Sequence, residues 1–128
     1  MEHTFPKEER LKNKKVIEHL FSQGKTIKAF PLKLIYIKAP FGTSIPFKIM
    51  VIAPKKIFKN AVDRNRTKRL LREAYRLNKH LIFNNTQAQY ALVFLYLGRE
   101  TPKSAIVNPK MRLLLQQFLN AISHENIF

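Results

Sequence analysis

The 128-residue chain predicts a single α/β (α+β) domain, a two-layer sandwich in which a small mixed sheet packs against helices. Three observations carry that reading. Apolar runs of strand length recur at 30–38, 46–54 and 90–97. Apolar residues follow helical spacing in 13–24, in 61–76 and after Asn108. Of all residues 45% are hydrophobic and 11% aromatic, with only 3 Gly, which suits one packed core rather than a disordered basic tail.

Taken in order, residues 1–12 read as an extended N-terminal arm. Residues 13–24 (NKKVIEHLFSQG) predict a short helix, with Asn13 as its cap and Gly24 ending it in the left-handed conformation. Val16, Ile17, Leu20 and Phe21 share one face of that helix. FPLKLIYIK (30–38) is strand-like, with Leu32, Leu34 and Tyr36 on one side. APFGTSIP (39–46) is a loop, and PFKIMVIAP (46–54) is a strand covered on both faces, since its alternation is weak. A long helix then starts near Ala61 and extends toward Leu81 or Phe83. The polar NNTQAQ (84–89) leads into YALVFLYL (90–97), a buried strand far shorter than the roughly 20 residues a membrane-spanning helix needs. Beyond Gly98 and Pro102, a last helix is expected from Asn108–Pro109, a cap followed by Pro in the first turn. Met111, Leu114, Leu115, Phe118 and Ile122 form its apolar face. The order is α-β-β-α-β-α, with room for one more short strand, and residues 1–128 form one domain.

Charge is the outlying property. Lys plus Arg is 24 against 8 Asp plus Glu, a net charge of +16. Self-repulsion on that scale calls for a polyanionic partner: nucleic acid first, an anionic membrane second, an acidic protein third. The charge concentrates on AVDRNRTKRLLREAYR (61–76). On a helix, Arg64, Lys68, Arg72 and Arg76 fall at successive i+4 positions with Asn65 and Arg69 beside them, a wedge of roughly 140°. Leu70, Leu71, Ala74 and Leu77 lie opposite with Thr67, and Arg66 and Tyr75 stand on the borders. Successive cations are roughly 6 Å apart, close to the phosphate spacing of a nucleic-acid strand. A merely solvated face normally mixes signs, because like charges at i,i+4 are destabilising. Asp63 and Glu73 lie off this wedge, and Arg suits bidentate phosphate contact. Lys55, Lys56 and Lys59 add cations at the N-terminal end of the same helix, where unpaired N–H groups also favour anions.

Other chemistries find little support. With no Cys there are neither disulfides nor thiolate metal sites. His3, His19, His80 and His124 are scattered without ligand spacing, and 8 acids spread over the chain do not form the cluster a two-metal nuclease needs. The mainly polar residues 1–15 lack the pattern of a secretory signal, so a cytoplasmic protein is expected. No helix-turn-helix, zinc-finger or RNP-type pattern decides between RNA and DNA. Phe21 and Tyr36 could stack on unpaired bases, although core packing is the commoner fate of such residues.

KKIFKNAVDRNRTKRLLREAYR (55–76) resembles the pattern of the bacterial ribonuclease P protein family: a basic pair, Ala-Val, Arg-Asn-Arg, then Lys-Arg-x-x-Arg. Ala61-Val62, Arg64-Asn65-Arg66, Lys68-Arg69 and Arg72 fit in register, and Arg10-Leu11 with Phe21-x-x-Gly24 resembles the family's beginning. The resemblance implies a ribosomal protein S5 domain 2-like fold with a left-handed crossover, against the usual right-handed rule. It implies a subunit that joins a catalytic RNA in the magnesium-dependent removal of the 5′ leader from precursor tRNA, the Mg2+ belonging to the holoenzyme. No catalytic residue, bound metal, membrane or DNA partner is expected of the polypeptide. Lys55, Lys56, Arg64, Asn65, Arg66, Lys68, Arg69, Arg72 and Arg76 are implied RNA contacts; Ile17, Phe21 and Tyr36 are implied to line a leader cleft. Departures from the family pattern are Ile17 for an aromatic, Met50 for Gly, Pro54 for Ser, and one extra residue at Phe58-Lys59. A structural RNA-binding protein of ribosomal type is the principal rival; a membrane-surface protein and a protein-only nuclease are weaker ones.

Overall fold

The computed structural model describes residues 7–40, 45–83 and 88–125; parts of the arm and of the 39–46 and 84–89 loops lie outside them. The first helix, α1 (Lys14–Gln23), begins where Asn13 Oδ1 accepts from the Lys15 and Val16 N–H groups at 3.0 and 3.2 Å. It ends at Gly24, whose φ of −68° and ψ of 153° are extended rather than left-handed. Glycine is needed there for space: a Cβ would strike the Leu20 carbonyl oxygen and lie 2.7 Å from Ile35 Cγ2.

Four strands follow in the chain order β1 (Lys25–Ala29), β2 (Leu32–Lys38), β3 (Phe47–Ile52) and β4 (Tyr90–Tyr96). They lie side by side as β1-β2-β4-β3, with β3 parallel to β4 and the other pairs antiparallel. The connection between the parallel pair carries α2 (Ala61–Asn78) and the single turn α3 (His80–Phe83). Strand β1 is the additional short strand for which the sequence left room.

Alternation gives the sheet two different faces. On one, Leu32, Leu34, Tyr36, Phe47, Ile49, Val51, Leu92 and Phe94 meet Leu71, Ala74 and Tyr75 of α2 and the apolar stripe of the last helix, α4 (Ser104–Glu125). Phe118 sits centrally, its ring 4.9 Å from Tyr36, 5.8 Å from Phe47 and 5.4 Å from Tyr90. On the other face, Leu11 and Leu20 cover Ile35, Ala91 and Val93, leaving Ile17, Met50, Ile52 and Leu95 only partly buried.

Helix α4 starts at Ser104, not at Asn108. Val107 is fully buried and begins the apolar stripe one turn early, while the Ile106 and Val107 N–H groups donate to the Lys103 carbonyl. Pro109 therefore lies inside the helix, where it cannot donate to the Ala105 carbonyl. Ala105 is exposed, so water can satisfy that oxygen. Helix α2 ends at Asn78, whose side chain donates to the Ala74 carbonyl at 2.8 Å.

Candidate nucleic-acid interface

Asn60 caps α2 by accepting from the Val62 N–H at 2.8 Å. Five of the helix's residues are buried: Thr67, Leu71, Ala74, Tyr75 and Asn78. This arc is rotated from the expected one. Tyr75, placed on a border by its spacing, is fully buried 5.8 Å from the Phe94 ring, whereas Leu77, placed in the core, remains 39% exposed. The rotation carries Lys68 and Arg72 against the edge of β3 and leaves Arg66 and Arg69 facing solvent.

The six cations of the helix are consequently unequal. Arg64 is half-buried and donates from Nη1 to the Phe58 carbonyl at 3.0 Å. Phe58 is itself buried against Tyr96, so Arg64 fastens the loop carrying exposed Lys55 and Lys56 onto the first turn of α2. At the far end, Arg76 is held by Glu73, Nε donating to Oε2 at 3.0 Å. Glu73 is thus not clear of the wedge, as its spacing suggested. The guanidinium beside it holds the Glu73 carboxyl below its ordinary range. Asn65, Arg66, Arg69 and Arg72 are exposed and Lys68 is half-buried. Partial burial, and then the like charge of Arg10, hold Arg72 below the usual arginine range.

The Arg10 contact comes from the N-terminal segment. Residues 7–9 form a 3-10 turn, Arg10 bridges to Ile49, and the Leu11 N–H donates to the Ile49 carbonyl at 2.8 Å. The segment thereby covers the outer edge of β3. Glu9 is buried and meets Lys79, just beyond α2, with both carboxylate oxygens at 3.1–3.2 Å. Burial pushes the Glu9 carboxyl up, outweighing the hydrogen bond and charge of Lys79 that pull it down.

The three residues expected in a cleft do not lie together. Ile17 packs on the partly covered side of the sheet, and Phe21, one helical turn further along α1, is 47% exposed. Tyr36 is 4% exposed and points to the opposite face, where it packs on Phe118. The reason is the two-residue period of a strand: a one-residue difference in register exchanges faces, and it is Ile35 that faces α1.

Sequence reasoning also missed cations on this side. Lys28 and Lys33 are direct cross-strand partners, a destabilising like-charge pair in the free protein, and Lys48 ends another row of the same face. Their alternation with apolar residues was the available signal. Among the described residues no three His, Asp or Glu side chains gather as metal ligands. His19 and His80 are exposed on separate helices; His3 and the His124 side chain lie outside the described residues. No helix among the described residues is long and apolar enough to cross a membrane.

Known proteins are similar to this chain in sequence and in fold. The model of the family described as Ribonuclease P matches residues 5–119. A ribonuclease P protein component from Porphyromonas gingivalis is 36% identical over 109 residues, covering 83% of this chain and 80% of that protein. One from Chlorobaculum tepidum is 38% identical over 104 residues, covering 73% and 68%. The fold is similar to the RNase P protein from Thermotoga maritima, with a TM-score of 0.69 at 22% identity over 85% of this chain and 96% of that one. The family match thus spans most of the sequence, and this chain belongs to the ribonuclease P protein family.

Proposed function

We propose that this chain is the protein subunit of a ribonuclease P, which binds the catalytic RNA through α2 and the 5′ leader of precursor tRNA across the partly covered face of its sheet. The observation that carries the reading is the set Arg66, Lys68, Arg69 and Arg72, presented on a helix whose opposite side is packed into the core. Such cations neutralise phosphates and release counterions, a sequence-independent attraction that suits an RNA scaffold. Lys55 and Lys56 extend the contact through the loop that Arg64 fastens.

The leader would lie over Ile17, Phe21, Met50 and Ile52, where apolar surface remains open for unstacked bases and Lys28, Lys33 and Lys48 meet the backbone. Tyr36 packs on Phe118 on the opposite face, so this reading does not rely on it. In this reading the chain's contribution is binding and orientation, and the chemistry is left to the RNA. The test compares precursor tRNA with mature tRNA for binding to the assembled ribonucleoprotein. Tighter binding of the precursor, reduced by Phe21→Ala, is expected; equal binding of the two RNAs by the wild type would remove the leader contact.

A further inference from the structure

At the edge of β3 a cavity of about 290 Å³ is lined by Arg10 and Lys12 from the N-terminal segment and Lys68 and Arg72 from α2, over a floor of Leu11 and residues 49–51. None of these described lining residues is acidic. Four cations from two segments nearly 60 positions apart repel one another in the free protein, yet the backbone fixes them. The Arg10 bridge and the Leu11–Ile49 hydrogen bond set the segment along β3. The Glu9–Lys79 pair, immediately before Arg10 and just past the end of α2, ties the same two segments together.

We infer that Arg10, Lys12, Lys68 and Arg72 form one phosphate-binding pocket, and that the buried Glu9–Lys79 pair is the positioning element that holds Arg10 in it. This rests on the RNA-binding reading above and extends it beyond α2 to the N-terminal segment. The ligand chemistry is a phosphodiester of RNA. An unanchored Glu9 would serve RNA binding badly, since its charge repels phosphate; paired with Lys79 it brings a cation to the pocket instead. Glu9 is a positioning residue, and Arg10 is the group that touches the ligand.

The two roles give opposite signs in one experiment. Removing an acid from a protein of net charge +16 tightens RNA binding if only long-range charge matters. Releasing Arg10 weakens it. Binding of a bacterial ribonuclease P RNA is measured between about 50 and 200 mM salt for wild type, Arg10→Ala, Glu9→Gln and the double variant. A second arm titrates precursor tRNA onto the preformed ribonucleoprotein. The expected result is a salt slope lower by about one unit for Arg10→Ala, or a fourfold smaller change in affinity over that range. Glu9→Gln should weaken binding similarly, and the double variant should lose no more than either single variant. Arg66→Ala, on the solvent side of α2, should add to Glu9→Gln. The reversed pair Glu9→Lys with Lys79→Glu should restore the Arg10 effect, and thermal midpoints identify any variant that is not folded. A loss in the first arm assigns the phosphate to the RNA subunit and a loss in the second to the precursor; a loss in neither overturns the pocket. Tighter binding by folded Glu9→Gln, or equal damage to the Arg10 and Arg66 effects, overturns the positioning role. A wild type with no salt dependence would instead refute the RNA-binding reading itself.

Discussion

Replacing Arg69 by Ala removes an exposed guanidinium from α2 without disturbing the buried arc of Thr67, Leu71, Ala74, Tyr75 and Asn78. Removing one cation that meets a phosphate should lower the slope of log affinity against log salt by about one unit. The helix carries six Lys or Arg residues; Glu73 neutralises part of the Arg76 charge, while Arg64 keeps its charge but is turned onto the Phe58 carbonyl and away from a direct phosphate contact. That leaves Arg66, Lys68, Arg69 and Arg72 as full contributors, so replacing all four should remove about four units. Arg69→Ala alone should remove about one, which over a fourfold rise in salt changes the loss of affinity by about fourfold. Arg76→Ala should remove measurably less, since Glu73 already neutralises part of its charge. The assay is filter binding of a bacterial ribonuclease P RNA at four salt concentrations, with thermal midpoints confirming that each variant is folded. An unchanged slope in Arg69→Ala, or an Arg76→Ala effect as large as that of Arg69→Ala, would refute this ranking of the stripe.

Further expectations concern the cleft and the core. Phe21→Ala should weaken precursor tRNA binding by about 1–3 kcal/mol if a leader base stacks there, leaving mature tRNA unaffected; equal weakening of both RNAs would contradict stacking on the leader. Phe118→Ala removes a fully buried ring packed against three others and should cost about 3–5 kcal/mol in urea denaturation. A loss under about 1 kcal/mol would mean that this core is less tightly packed than described. Tyr75 is held well above the ordinary phenol range by burial, and secondarily by the charge of Glu9. Its folded pKa exceeds its unfolded one, so its contribution to stability is fully present below about pH 10 and is lost as pH rises beyond that. Urea midpoints measured through this alkaline range should fall less steeply for Tyr75→Phe than for wild type; parallel curves would contradict the assignment.

How far the sequence could be read depended on whether the signal was local. The cap at Asn13, the three apolar strands and the helix that begins at Ala61 each rest on neighbouring residues, and the structure carries them. Strand β1 gives only Ile27 and Ala29 as apolar residues because it lies at the sheet's edge, half covered, so its pattern is weak. That Tyr36 packs on Phe118 and not against α1 was not legible, because propensity identifies a strand without saying which face meets which helix. The Asn108–Pro109 rule failed where tertiary packing of Val107 outweighed it. Gly24 shows the same limit, since the close approach of Ile35 requires it and local backbone preference does not. The Glu9–Lys79 pair joins residues 70 positions apart and left no mark that composition or periodicity could reveal.

The central claim is that this chain assists an RNA catalyst, and reconstitution tests it most directly. Leader removal from a precursor tRNA is measured in magnesium at near-physiological salt with the protein alone, a bacterial ribonuclease P RNA alone, and both together. The account predicts no cleavage by the protein alone and much faster cleavage by the two together than by the RNA. Cleavage by the protein alone would place a catalytic site in the polypeptide. An unstimulated RNA that the protein nevertheless binds would favour a structural RNA-binding role of ribosomal type.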